Sequence, residues 1–283
     1  MASKLYFYKV LKQIQLVSGS KNGIGNTFSS TIDYFPNLSS RVTALKHECI
    51  LSHSFDKVLL ACLSDRITTN DIDPSVTQIK TVEYYSHENL LKIFKEQGIE
   101  SSIEKYKRSQ IVNHSHLDLG PLTTPRTLCV GITAHYDKEN ETVHFFGKPF
   151  QRDDRKFFQT TKMDVVLKKG EEPKNVNAIP IFDWFSYYIQ RIDEKKIIYT
   201  QIHMLSIGGF LGKLNFDTLS RKMVKTQGEK LAQNLFKIMN KIPDDAKIKD
   251  YMEEYSKLDE FGIPLDGSGR LLYDLNINDD WSK

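Results

Sequence analysis

Four sets of side chains in this chain have the types and spacing that chemistry uses. The first is Ser18-Gly-Ser-Lys-Asn-Gly-Ile-Gly25, which follows Ile14-Gln-Leu-Val17. Its glycines have the spacing of a loop that brings backbone N–H groups up to a pyrophosphate at a helix start. A nucleotide-dependent reductase of that kind also needs a Tyr-x-x-x-Lys pair further along, and strands alternating with helices. No such pair follows the loop, and the middle of the chain reads as strand after strand. The second set is His114-Ser-His116, whose spacing puts two imidazoles on one strand face, as in some metal sites. No carboxylate or cysteine cluster converges with it in sequence, so surface or cavity-lining histidines are expected and no metal is. His135, His144 and His203, the third set, fall on separate expected strands and read as core or edge residues. Glu171-Glu172 and Asp153-Asp154 sit in polar runs and read as solvated charge. The chain has no Gly-x-Ser-x-Gly elbow, no His-Glu-x-x-His and no Walker loop. No arrangement argues for an enzyme, and none requires a cofactor.

The fourth set is aromatic. Trp184, Phe185, Tyr187, Tyr188 and Tyr199 crowd two neighbouring expected strands. Two readings stay open. They form a hydrophobic core, or they form a pocket wall in which Tyr hydroxyls meet a polar head while ring faces contact hydrocarbon or a cation.

Composition excludes several classes. The chain has 283 residues, 40% of them apolar and 27% charged, an ordinary globular mix able to bury a sizeable core. A net charge of +3 does not argue for nucleic acid. No window approaches the roughly 18 consecutive apolar residues of a membrane span. The apolar residues between 5 and 17 are interrupted by Lys9, Lys12, Gln13 and Gln15, so no cleavable signal is expected. Cys49, Cys62 and Cys129 are widely spaced and fit reduced thiols, and a cytoplasmic location is expected.

The elements that would position these groups are mostly strands. Residues 127–136, 142–146, 163–167, 184–192 and 197–205 read as strands, with 41–50, 76–85 and 105–117 before them. In the first of these, Leu128, Val130, Ile132 and Ala134 share one face. Helical spacing is present in residues 5–17. Residues 18–30 read as a loop, and 148–162 and 168–177 as an excursion and a loop. Ser54 can cap a helix over residues 54–65, with Phe55, Val58, Leu59 and Cys62 on one face. Residues 88–97 have helical composition, which a sheet context could override. After Gly208-Gly-Phe-Leu-Gly212 comes a long helix over residues 216–241. Asn215 is its cap, and Phe216, Leu219, Met223, Leu231, Leu235 and Ile238 are its apolar stripe. Pro243 stops it. One more helix is expected at 250–258, and the last residues are expected to be loose. The expected fold is α+β: a curved antiparallel sheet gripping a long C-terminal helix around an internal hydrophobic cavity. The chain divides into an N-terminal helix and linker (1–30), a ligand-binding domain (31–242) and a C-terminal extension (243–283).

From about residue 55 to 242 this order of elements resembles the START lipid-transfer family, a helix-grip fold. The resemblance rests on Leu63-Ser-Asp65, the Asp71-Ile-Asp-Pro74 turn, Thr124-Pro-Arg-Thr-Leu-Cys-Val130 with Arg126 at the family's Arg position, and Ile207-Gly-Gly-Phe-Leu-Gly212 before the last helix. Thr127 stands where the family usually has Asp, and Gly212 where Pro is common. The resemblance implies a lipid or sterol carried in the cavity and transferred between membranes by transient surface contact, with no nucleic-acid partner. Ser115 and Leu128 match the positions at which phosphatidylcholine carriers hold aromatic residues, so no choline cage is expected. The implied ligand-binding residues are Ser115, Arg126, Leu128, Val130, Ile132, Trp184, Tyr187, Tyr188, Tyr199 and Met223. Gly208 and Gly209 would hinge a gate whose tip, Phe210 and Leu211, touches a bilayer, unless those two side chains plug the core. A helix-grip scaffold filled by its own side chains, and a nucleotide-dependent reductase, are the alternatives.

Overall fold

A computed structural model describes residues 16–17, 27–35, 42–63, 76–96, 108–117, 126–149, 179–180, 182–206 and 233–275. Its strands are β1 (Leu16–Val17), β2 (Thr27–Phe35), β3 (Val42–Leu51), β4 (Val76–Tyr85), β5 (Gln110–Leu117), β6 (Arg126–Asp137), β7 (Thr142–Pro149), β8 (Ile179–Pro180), β9 (Phe182–Asp193) and β10 (Lys196–Ser206). They form one sheet in the order β1-β2-β3-β10-β9-β7-β6-β5-β4. Pairing along this path is antiparallel, and β8 joins β6 in parallel. An α+β protein with an antiparallel sheet is therefore what the sequence reading anticipated.

Local chemistry sets the hairpins at the centre of the sheet. Between β6 and β7 the Asp137 carboxylate accepts from the backbone N–H groups of Glu139 and Asn140, at 3.1 and 3.2 Å. The Asn140 side chain donates to the same carboxylate at 2.8 Å. These bonds hold Asp137 below its ordinary range, the Asn140 side-chain bond foremost. Between β9 and β10 Asp193 accepts from the Lys195 N–H at 2.9 Å. The two-residue period then fixes the faces. Val130, Ile132 and Ala134 on β6, Val143 and Phe145 on β7, Phe185 and Ile189 on β9, and Ile197 on β10 join one buried cluster, which defines the inner face.

Helices cover that face. Helix α1 (Phe55–Leu63) packs on β9 and β10. Ser54 caps it, accepting from the Lys57 N–H at 3.4 Å. Burial extends beyond the expected stripe to Leu60, Ala61 and the Lys57 side chain, whose Nζ lies 2.5 Å from Asp244. Residues 87–96 resolve as helix α2 (His87–Glu96). Helix α3, described over residues 233–239, buries Leu235, Ile238 and Met239 and ends before Pro243.

The C-terminal residues belong to the same core. A 3-10 turn (Ile248–Tyr251) leads into α4 (Met252–Tyr255), and α5 (Gly267–Asp274) lies on β5 and β6. Ile248, Met252, Tyr255, Leu271 and Leu272 are buried with the sheet residues. Asp266 caps α5 by accepting from the Gly269 N–H at 2.7 Å. The Tyr84 hydroxyl donates to Asp274 at 2.7 Å, and Arg270 donates to Tyr84 Oη at 3.1 Å and to the Ser256 carbonyl at 2.9 Å.

Three expectations need correction. Leu16 and Val17 pair with Thr31 and Ser30 as a strand and do not continue a helix, because ladder bonds to β2 satisfy their backbone. Residues 27–30 belong to β2, not to a loop; pairing with β3 overrides their Ser/Thr-rich composition. The helix expected at 250–258 stops at Tyr255, since the chain turns and Asp259 captures the N–H groups of Phe261 and Ile263. Residues 267–274, for which no element was expected, form α5, buried on Leu271 and Leu272, and the last residues, expected to be loose, lie outside the described residues from 276 on. The strand expected at 163–167, the segments 148–162 and 168–177 beyond Pro149, the turn at 71–74, the loop at 208–212 and the helix from 216 to 232 lie outside the described residues.

Candidate functional site

The centre of the inner face, where β3, β10 and β9 adjoin, combines aromatic rings with neutral polar groups. Tyr199 stands opposite Cys49 on β3 and Ile189 on β9. One step along, Gln201 stands opposite His47 and Tyr187. The Tyr187 and Tyr199 rings stack with centroids 6.2 Å apart and planes 9° apart. Phe185 tilts onto Tyr187 at 4.9 Å. Gln201 Nε2 donates to the Tyr187 hydroxyl at 3.3 Å. Gly147 makes room for Phe185: a Cβ at that position would lie 2.2 Å from the ring. Cys62 enters from α1 beside Cys49 and Tyr199.

Electrostatics here are those of a dry interior. Burial, with Glu48 adding to it, pushes the Cys49 thiol up to about 12. Burial pushes Cys62 well above the usual thiol value, helped by Cys49. The Tyr199 phenol is likewise pushed well up, by burial first and then by Cys62, Tyr187 and Cys49. All three groups stay protonated at neutral pH, so the thiols are not nucleophiles. Yet Tyr199 and Cys62 are only partly buried, whereas Ile189, Ile197 and Leu51 around them have no exposed surface. The Tyr199 hydroxyl has no hydrogen-bond partner among the described residues.

A second region lies where β4, β5 and β6 adjoin. Ser115 is buried opposite Leu128, and Asn113 is buried opposite Val130. The Thr81 hydroxyl donates to Asn113 Oδ1 at 2.8 Å. Val130 and Ile132 are in the core cluster, and Leu128 packs against it partly exposed.

The residues singled out in the sequence are thus divided. Ser115, Leu128, Val130, Ile132, Tyr187 and Tyr199 face the inner side. Tyr188 alternates to the outer side and stacks on His144 at 4.1 Å, where His144 Nε2 lies 2.5 Å from Ser186 Oγ. Arg126 opens β6 opposite Leu117, and Trp184 stands on β9 opposite Met204. The side chains of these two residues, together with Met223, Gly208, Gly209, Phe210 and Leu211, lie outside the described residues. His114 stands half-buried opposite Cys129. Among the described residues no group of three or more His, Cys, Asp or Glu could hold a metal ion. Sequence reasoning missed Gln201, His47, Cys49 and Cys62 as neighbours of Tyr199. The alternation Ile197, Tyr199, Gln201 was the available signal for the first; the others come from strands and a helix that only the topology brings together.

The fold is similar to that of solved structures. Human StAR-related lipid transfer protein 5 superposes with a TM-score of 0.54 at 12% identity, over 85% of this chain and 93% of its own. Human STARD10 gives a TM-score of 0.54 at 9% identity, over 83% of this chain and 79% of its own. At such identities the likeness concerns the fold, and the fold is the helix-grip of StAR-related lipid transfer domains. No protein-family model and no curated protein matches the sequence.

Proposed function

We propose that this protein binds a hydrophobic ligand, a lipid or sterol, between the inner face of its sheet and the helices across it, and transfers that ligand between membranes. The observation that carries the reading is Tyr199: a residue desolvated enough to lose its ordinary acidity, flanked by fully buried neighbours, that still has accessible surface and whose hydroxyl has no partner among the described residues. A residue at the edge of an internal space has these properties, and a solid core would have closed over it. The helix-grip fold supports the same reading. Apolar area buried there would stabilise a mostly hydrocarbon ligand at about 25 cal/mol per Å². Leu128, Val130 and Ile132 would line the far wall, with Ser115 beside them. Residues 31–242 would carry the ligand, with Arg126, Trp184 and Met223 as further contacts. Gly208, Gly209, Phe210 and Leu211 would form the gate, with brief contact at a membrane surface. Among the described residues no helix is long and apolar enough to cross a membrane.

Native mass spectrometry of the purified protein, followed by lipid extraction, tests the binding. A reproducible adduct released as lipid is the expected result. A bare polypeptide mass, together with no uptake of Nile red, would overturn the reading in favour of a helix-grip scaffold. Liposome-to-liposome movement of the extracted lipid then tests transfer.

A further inference from the structure

We propose that the Tyr199 hydroxyl is the polar anchor of the interior site and that it selects a ligand whose head is uncharged, a hydroxyl or a carbonyl. This deepens the reading above and rests on it. The groups around Tyr199 on the inner face are Cys49, Cys62, Tyr187 and Gln201, with the buried His47 opposite Gln201, and none of them is a Lys, Arg, Asp or Glu. A phenol kept protonated can donate one hydrogen bond and accept another, which suits an alcohol or a carbonyl oxygen. The described charged groups that border the core are already engaged. Arg191 pairs with Glu141 at 3.4 Å and lies over the Phe55 ring. Lys57 is on Asp244, and Arg270 is shared between Asp274, Tyr84 and the Ser256 carbonyl. A phosphate or carboxylate brought to Tyr199 would lose its hydration and meet no described Lys or Arg there, only the imidazole of His47, which is unfavourable. An alcohol would lose much less and recover a hydrogen bond. The stack on Tyr187 fixes the Tyr199 ring, so the donor is held in place before the ligand arrives.

Displacement of Nile red by decane, decan-1-ol and decyl phosphate tests the inference on the full chain. The wild-type protein should bind the alcohol more tightly than the phosphate ester. Tyr199→Phe keeps the ring and removes only the hydroxyl. It should weaken decan-1-ol by roughly three- to tenfold, the worth of one net hydrogen bond, and leave decane unchanged. Its melting temperature should stay at the wild-type value, because the hydroxyl has no partner among the described residues. Cys62→Leu, which enlarges the side chain beside Tyr199, should reduce binding of decane and decan-1-ol alike. The anchor is overturned if Tyr199→Phe binds decan-1-ol like wild type, if decyl phosphate binds more tightly than the alcohol, or if the melting temperature falls by several degrees. It is also overturned if Cys62→Leu binds both probes normally, since the site is then elsewhere. Failure of the wild type to bind Nile red or decane at all would instead remove the carrier reading, and this inference with it.

Discussion

Gly269→Ala tests whether the C-terminal residues are built into the core. Gly269 lies in α5, directly on the ring of Tyr255. A Cβ there would stand 2.2 Å from Cδ1, 2.5 Å from Cε1 and 2.6 Å from Cγ. Carbon atoms rest at about 3.5–4.0 Å, so ring and helix must separate by roughly 1 Å or more. The atoms struck belong to the body of the ring, and Tyr255 is only 2% exposed, so it has little room to rotate away. Overpacking of this kind costs about 1–3 kcal/mol. Against it stands the higher helix propensity of alanine, worth about 1 kcal/mol. Three contacts below 3 Å put the steric cost at the upper end of that range, so the net loss is about 2 kcal/mol, or a fall in melting temperature of roughly 3–4 °C for a chain of this size. Circular dichroism melts measure it. Gly262→Ala is the contrast. That residue has φ +74° and nothing within 4 Å of its Cβ position, so its loss would come from backbone strain alone, at about 1–2 kcal/mol. A melting temperature of Gly269→Ala equal to or above wild type would mean that helix propensity decides and that α5 does not rest on Tyr255, which would refute the reasoning.

Three other outcomes follow from the same geometry. Gly147→Ala drives a methyl into the Phe185 ring, so it should destabilise by about 1–3 kcal/mol in urea titration and shift Nile red emission, because the displaced ring contacts Tyr187; an unchanged urea midpoint would count against the close approach. Asp266→Ala removes the α5 cap and leaves the Gly269 N–H buried without its acceptor, with an expected loss of about 1–2 kcal/mol by the same titration. The third concerns alkaline pH. Burial first, and then its bond to Asp274, raise the Tyr84 phenol from 10.0 to about 12. A group raised in the folded state contributes stability fully below its unfolded value and loses it as pH rises through the folded one. Wild type should therefore weaken between pH 10 and 12, and Tyr84→Phe should weaken less over that window; equal losses in the two proteins would refute the assignment.

What the sequence revealed about the fold follows from how local each signal is. The strands β6, β7, β9 and β10 were readable because alternation is a short-range pattern, and Leu128, Val130 and Ile132 displayed it without interruption. Strand β2 was not, because Thr27, Ser29 and Ser30 have the composition of a loop, and their conformation is set by pairing with β3, a non-local cause. Helix α5 was missed because Gly267 and Gly269 weaken a helical signal. The Gly269 feature that hid the helix is what lets it approach Tyr255. The candidate site divides along the same line. Grouping Tyr187 with Tyr188 treated neighbours in sequence as neighbours in space, and the strand period separates them: Tyr187 stacks on Tyr199 inside, Tyr188 on His144 outside. Conversely, Cys62 and Tyr199 are distant in sequence and meet only because α1 folds across β9 and β10. A binding surface built on a sheet is therefore legible strand by strand, in the sense that each strand announces which residues share a face. Which faces meet across strands and helices is set by register and topology, and there the groups that give Tyr199 its dry surroundings are assembled.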